Sequence, residues 1–172
     1  MRTLLTCLFA LIALPLAALE LDQPFDNIDG GTLRISDWSG QPVLVVNTAS
    51  HCGFSDQYTD MQKLYDTYRD QGLVVLAVPS DDFNQELGSN AQVKEYCEMT
   101  YGIDMPMTGI TSVKGGAAHP FYASLKSEQG FAPAWNFNKV LLSPEGEVVA
   151  TYPSSAKPMS SKITRQVEEL LN

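Results

Sequence analysis

The spacing of apolar and polar positions changes period several times along this chain, and each change marks an element. Val43 to Val46 (VLVV) and Leu73 to Val78 (LVVLAV) are unbroken apolar runs, the pattern of strands covered on both faces. Between them Tyr58, Met61, Tyr65 and Tyr68 recur at near-helical spacing. A helix is therefore expected from about Ser55, with Ser55 as its cap, Asp56 at its positive end and Gly72 as its stop. Strand, helix, strand makes a βαβ unit with a right-handed parallel crossover. A second helix is expected over about Ala91 to Tyr101, because Ser89 and Gln92 form a capping box before it and Gly102 can end it. Cys97 falls inside this helix, on a face shared with Val93, Tyr96 and Thr100. A short third helix is expected around His119 to Lys126. Val140 to Leu142 and Val148 to Tyr152 flank Ser-Pro-Glu-Gly, where Pro144 is pre-set for a turn and Gly146 is free to take positive φ, so they read as an antiparallel hairpin. Ile163, Val167 and Leu170 share one face of a last helix, about Ser160 to Leu171, which should pack on the sheet.

No repeat, low-complexity tract or linker interrupts the chain after residue 20. At 172 residues and 44% hydrophobic content it can build one sizeable core, and a single α/β domain over residues 19–172 is the economical division. The first eighteen residues, MRTLLTCLFALIALPLAA, read as a secretory signal peptide cleaved near Ala18. The apolar run is short for a bilayer, contains Pro15 and is followed by acidic sequence, which argues against a stable membrane anchor. The expected destination is the periplasm or the extracellular space. The formal net charge of −9 becomes one unit more negative when Arg2 is removed. With no basic stripe to offset it, nucleic acid and anionic lipid are not expected as partners. Cleavage also removes Cys7 and leaves Cys52 and Cys97, an even pair in an oxidising compartment, for which a structural disulfide is the default reading.

The stretch NTASHCGFSDQY brings Cys52 out of the first buried strand just before a helix. Unpaired amides and the helix macrodipole there would favour a thiolate; an inert buried cysteine is the competing reading. Position 55 is Ser and position 49 is Ala, so no CxxC pair is available for dithiol exchange. His51 beside Cys52 could be imagined as a copper ligand, but two adjacent ligands without a second cysteine make a poor site. His51 reads instead as a solvent-facing loop residue and His119 as a residue near a helix start. No metal and no bound cofactor are expected.

The same stretch resembles the N-V-A-S-x-C-G-x-T-x-Q-Y segment of the glutathione peroxidase family, its thioredoxin-dependent branch included. Four further segments are similar in the same order: GLVVLAVPSDDFNQELGSN, VKEYCEMTYGIDMPM, AAHPFYASLK and WNFNKVLLSPEGEVVATYPS. The order of elements, a parallel βαβ unit and then a hairpin with a closing helix, is that of the thioredoxin-like fold, with a central mixed sheet flanked by helices. The resemblance implies an exported, bacterial-type thiol peroxidase. In it Cys52 attacks a hydroperoxide and becomes a sulfenic acid, Gln85, Trp135 and Asn136 complete a catalytic tetrad, and Cys97 stands at the resolving position. Uncharged amide and indole donors suit that role, because they can hold a thiolate and polarise a peroxide oxygen without adding charge. The reductant it implies is a thioredoxin-like dithiol protein or glutathione. The short stretch Ser127 to Ala134 implies a monomer, since tetrameric relatives carry a long insertion there. Taken without the resemblance, Cys97 is a small apolar residue on a helix face and Trp135 a core residue. Ser80, Asp81 and Asp82 stand where relatives have Cys-Asn-Gln, and one residue is missing before Gln85. Two carboxylates at that place are expected to disfavour a thiolate by like-charge repulsion.

Overall fold

A computed structural model describes residues 19–172, so the expected signal peptide and its cleavage site lie outside the described residues. A short hairpin, β1 (Phe25–Asp26) and β2 (Thr32–Leu33), precedes the main sheet. There follow β3 (Val43–Thr48), α1 (Gln57–Tyr68), β4 (Val74–Pro79), α2 (Asn90–Tyr101), α3 (Pro120–Gln129), β5 (Lys139–Leu142), β6 (Val148–Tyr152) and α4 (Ser161–Leu171). The four-stranded sheet runs β4-β3-β5-β6. β3 pairs parallel with β4 and antiparallel with β5, and β5 pairs antiparallel with β6. This is the mixed, helix-flanked sheet of the thioredoxin-like fold.

The unbroken apolar runs follow from the layering. Leu44, Val46, Val75, Ala77 and Leu141 face a core built with Tyr58, Met61 and Leu64 of α1, Val93 and Cys97 of α2, and Ile163 and Val167 of α4. The alternate residues Val43, Val45, Val74, Leu76, Val140 and Leu142 face Phe121 and Leu125 of α3 and Phe25 and Leu33 of the small hairpin. With helices on both faces, every residue of β3, β4 and β5 is buried. β6 lies at the sheet edge and alternates instead.

Two expectations are corrected. The first helix begins at Gln57 rather than near Ser55, and no side chain caps it; residues 51–56 wind through turns held by Ser55 N to Cys52 O (3.0 Å) and Gln57 N to Phe54 O (2.9 Å). In α2, Val93 and Cys97 face the core but Thr100 is exposed. The caps of α2 are as expected: the Ser89 side chain accepts from Gln92 N, and Gly102 takes left-handed φ of 63°.

The topology gathers three loops at one end of the sheet. Thr48 pairs with Pro79 where the parallel strands finish, and Val46 pairs with Lys139 where the antiparallel β5 begins. The segments after β3, after β4 and before β5 therefore crowd together outside the carboxyl ends of the parallel strands, the usual place for a site in such a sheet.

Candidate active site

Cys52 lies in the turns after β3 and is 4% exposed. Cys52 lies five positions before the first residue of α1, and a run of turns connects the two. The backbone of its loop is held from the segment after β4. His51 N donates to Gln85 O (2.9 Å), and Ser50 N donates to Glu86 Oε1 (3.0 Å), which also accepts from Leu87 N (2.8 Å). The Gln85–Glu86 segment thus clasps the loop that carries Cys52.

Gln85 is aimed by a tight turn. Asn84, just before it, takes a left-handed φ of 55°, and Asn84 N donates to Asp81 O (2.8 Å). After this turn the Gln85 side chain meets Asn136, whose Nδ2 donates to Gln85 Oε1 at 3.0 Å. Asn136 is fully buried. Trp135 is 42% exposed, which sets aside the core reading, and its ring packs against Phe83 at 5.3 Å. Phe83 is in turn covered by the Lys114 ammonium, 3.9 Å from the ring centre.

Asp81 and Asp82 each have a task in their own loops, accepting from backbone amides. Asp82 Oδ2 accepts from Val113 N (2.6 Å) and Lys114 N (3.0 Å), and Asp81 Oδ1 accepts from Glu86 N (3.1 Å). They build loops. The carboxylate that does reach the Cys52 loop is Glu86, which was not singled out from the sequence. Burial, the larger influence, pushes its pKa up, while the bonds from Ser50 and Leu87 and the nearby His51 pull it down. Its position directly after Gln85 was the available signal.

Cys97 is 1% exposed in α2, and both Cys52 and Cys97 are free thiols of one core cluster. Burial pushes the Cys97 thiol up to about 12, against a lowering from the adjacent Tyr58 hydroxyl. In this conformation it is a poor nucleophile. Cys97 also adjoins a cavity of about 250 Å³ lined by Ile28, Lys94, Ile103 and Met107 among others. Sequence reasoning also passed over Gln57 and Lys139, 2% and 0% exposed. The family-like segment that begins at Trp135 includes Lys139 and was the available signal.

His51 is exposed, and among the described residues no three His, Cys, Asp or Glu side chains converge on a common point. His119 is structural: it accepts from Phe121 N at the start of α3 (3.2 Å), meets Pro24 O with its other nitrogen (3.1 Å) and stacks on Phe25 at 3.6 Å.

Fold and site together define a thioredoxin-fold protein whose loop thiol, Cys52, has no CxxC partner and lies with uncharged amide and indole donors at the same end of the sheet. Residues 21–126 match the glutathione peroxidase family model. The chain belongs to that family and is a thiol peroxidase of the glutathione peroxidase type. It is 38% identical over 150 residues to a glutathione peroxidase of Lactococcus lactis subsp. cremoris, covering 84% of this chain and 94% of that one. It is 37% identical over 155 residues to the hydroperoxy fatty acid reductase gpx1 of Synechocystis, covering 84% and 90%. Among solved structures, that of Trgpx in apo form superposes with a TM-score of 0.70 at 28% identity, over 90% of this chain and 97% of that one.

Proposed function

We propose that the protein is an exported, monomeric peroxidase in which Cys52 is the peroxidatic residue and Cys97 the resolving one, regenerated by a thioredoxin-like dithiol protein. The Cys52 thiolate attacks the distal oxygen of ROOH; the O–O bond breaks, Cys52 becomes the sulfenic acid, and RO⁻ takes a proton to leave as ROH. The Cys97 thiol then displaces the sulfenic hydroxyl, forming a Cys52–Cys97 disulfide and water. Two thiols of the reductant return both cysteines to the reduced state and leave as a disulfide.

The observation that carries this reading is the Asn136 to Gln85 hydrogen bond beside the clasped Cys52 loop. Two amide side chains from distant segments meet there, with the half-exposed Trp135 indole next in the chain. Uncharged donors held rigidly at such a point stabilise a developing oxyanion without reorganising. Cys52→Ser is expected to abolish hydroperoxide consumption with the circular dichroism spectrum unchanged; turnover retained in that variant would end the reading. A comparison of thioredoxin with glutathione as donor tests the reductant, and equal rates with both would remove the specific role of Cys97.

A further inference from the structure

The turn that carries Trp135 and Asn136 is held from below. Its three successive carbonyls each accept a hydrogen bond from one buried side chain. Trp135 O accepts from Asn47 Nδ2 of β3 (3.0 Å), Asn136 O from Ser154 Oγ just after β6 (2.6 Å), and Phe137 O from Lys139 Nζ of β5 (2.7 Å). At the centre of this turn Phe137 takes a left-handed φ of 61°, a conformation a bulky residue keeps only when its surroundings over-determine it. Phe137 N is tied to Asn47 O at 2.6 Å, and the ring packs edge-on against Tyr58 at 5.3 Å.

Lys139 does more than cap one carbonyl. Its ammonium also donates to Gln57 Oε1 (2.8 Å), and Gln57 Nε2 donates to Ser154 O (2.7 Å). Gln57 is the first residue of α1, the helix that the Cys52 loop winds into. The Lys139–Gln57 pair therefore joins the helix behind the thiol to the turn that presents the indole and the carboxamide. A lysine placed there for packing alone would be costly, because burial disfavours its charge and pushes its pKa down to about 7.

We propose that Lys139 and Gln57 are positioning residues for the peroxidase reaction: as a buried clamp they fix the Trp135–Phe137 turn against the start of α1 and so align the Trp135 and Asn136 donors with the Cys52 thiol. This rests on the function proposed above, and it adds that these donors lose their aim when the clamp is cut while the thiol itself stays reactive.

The test uses Lys139→Met, which keeps the length of the side chain and removes both donations, and Gln57→Leu, which removes the acceptor from the helix side. Both are made in a Trp38→Phe background so that Trp135 is the only tryptophan. The second-order rate of Cys52 oxidation by hydrogen peroxide is compared with its alkylation by iodoacetamide, and Trp135 emission and acrylamide quenching are read alongside. Each variant is expected to lose tenfold or more in oxidation rate, to change less than threefold in alkylation, and to show altered Trp135 quenching. Gln57→Glu keeps an acceptor for Lys139 and is expected to restore at least a third of the oxidation rate. Equal losses in oxidation and alkylation would show a merely structural role and overturn the proposal, as would an oxidation rate within twofold of wild type. If Lys139→Met does not fold, Gln57→Leu decides on the same criteria. If the wild-type protein does not react with peroxide, the function above fails, while the Trp135 quenching change still decides whether the clamp sets the turn.

Discussion

The reactivity of Cys97 offers a quantitative test of the resolving role. The Cys97 thiol is raised from 9.0 to about 12, chiefly by burial. Three units lower its thiolate population at neutral pH about 1000-fold, equivalent to about 4 kcal/mol. The other route to reaction is local opening of α2. That helix is anchored by only two buried side chains, Val93 and Cys97. Uncovering Val93 costs about 1.5–3 kcal/mol, so with Cys97 added the open helix is populated on the order of one part in 100 to 1000. The thiolate route falls at the 1000-fold end of the range that opening gives. In a Cys52→Ser protein, iodoacetamide at pH 7 is expected to label Cys97 about 100- to 1000-fold more slowly than a cysteine in an unfolded peptide, with peptide mass spectrometry as the readout. Low urea should speed this labelling well before global unfolding. In the wild type, one equivalent of peroxide is expected to give the Cys52–Cys97 linkage with a loss of helical circular dichroism that a dithiol reverses. Labelling of reduced Cys97 within tenfold of the free-peptide rate would refute the burial argument. Linkage formed without any helical loss would refute the opening step.

Lys139 makes stability depend on pH with a definite sign. Its folded-state pKa of about 7 lies below the ordinary 10.5, so between these values the unfolded chain binds more protons and stability rises with pH. Tyr58, Tyr122 and Cys97 are shifted upward by burial and oppose this only above about pH 9. Urea unfolding is therefore expected to show roughly 2 kcal/mol more stability at pH 9 than at pH 7, a rise that Lys139→Met should flatten; an unchanged slope in the variant would assign it to other groups. The short connection from α3 to β5 leads us to expect a monomer by sedimentation velocity, and a stable tetramer at low micromolar protein would contradict that.

What the sequence made legible follows from how local each signal is. β3 and β4 could be read because strands covered on both faces leave unbroken apolar runs, and the ends of α2 because Ser89, Gln92 and Gly102 act within one turn of the helix. The small β1–β2 hairpin, two residues per strand, is too short to show a period. The start of α1 was misplaced because Ser55 and Asp56 look like caps but lie within a run of turns. Cys52, Gln85, Trp135 and Asn136 came from ordered family segments, and the structure brings Gln85 onto Asn136. The tasks of charged side chains stayed hidden where partners are distant: Asp82 accepts from amides thirty or so positions later. Lys139 gives no local sign of its buried place for the same reason, since its acceptor Gln57 lies 82 positions away.

The distribution of unpaired polar atoms links the energetics to the chemistry. Among the described residues, the buried side-chain atoms without a hydrogen-bond partner are Asn47 Oδ1, Thr48 Oγ1, Ser50 Oγ, Tyr58 OH, Glu86 Oε2 and Asn136 Oδ1, with Tyr122 OH and Ser160 Oγ elsewhere. The first six belong to the end of β3 and to the segments packed on it. Each such group costs on the order of 1–3 kcal/mol relative to a satisfied one, and folded proteins rarely leave more than a few. The clamp beneath the turn shows that this chain can satisfy buried polar groups fully: Lys139 Nζ, both ends of Gln57, and Asn138 all have partners. At the site end of the sheet the unpaired atoms lie beside one another instead, Tyr58 next to Thr48 and Cys97, and Ser50 next to Glu86. In the function proposed above, an exchange of partners among these neighbouring groups would let them follow the changing charge of the Cys52 sulfur, while the satisfied layer beneath keeps the sheet fixed.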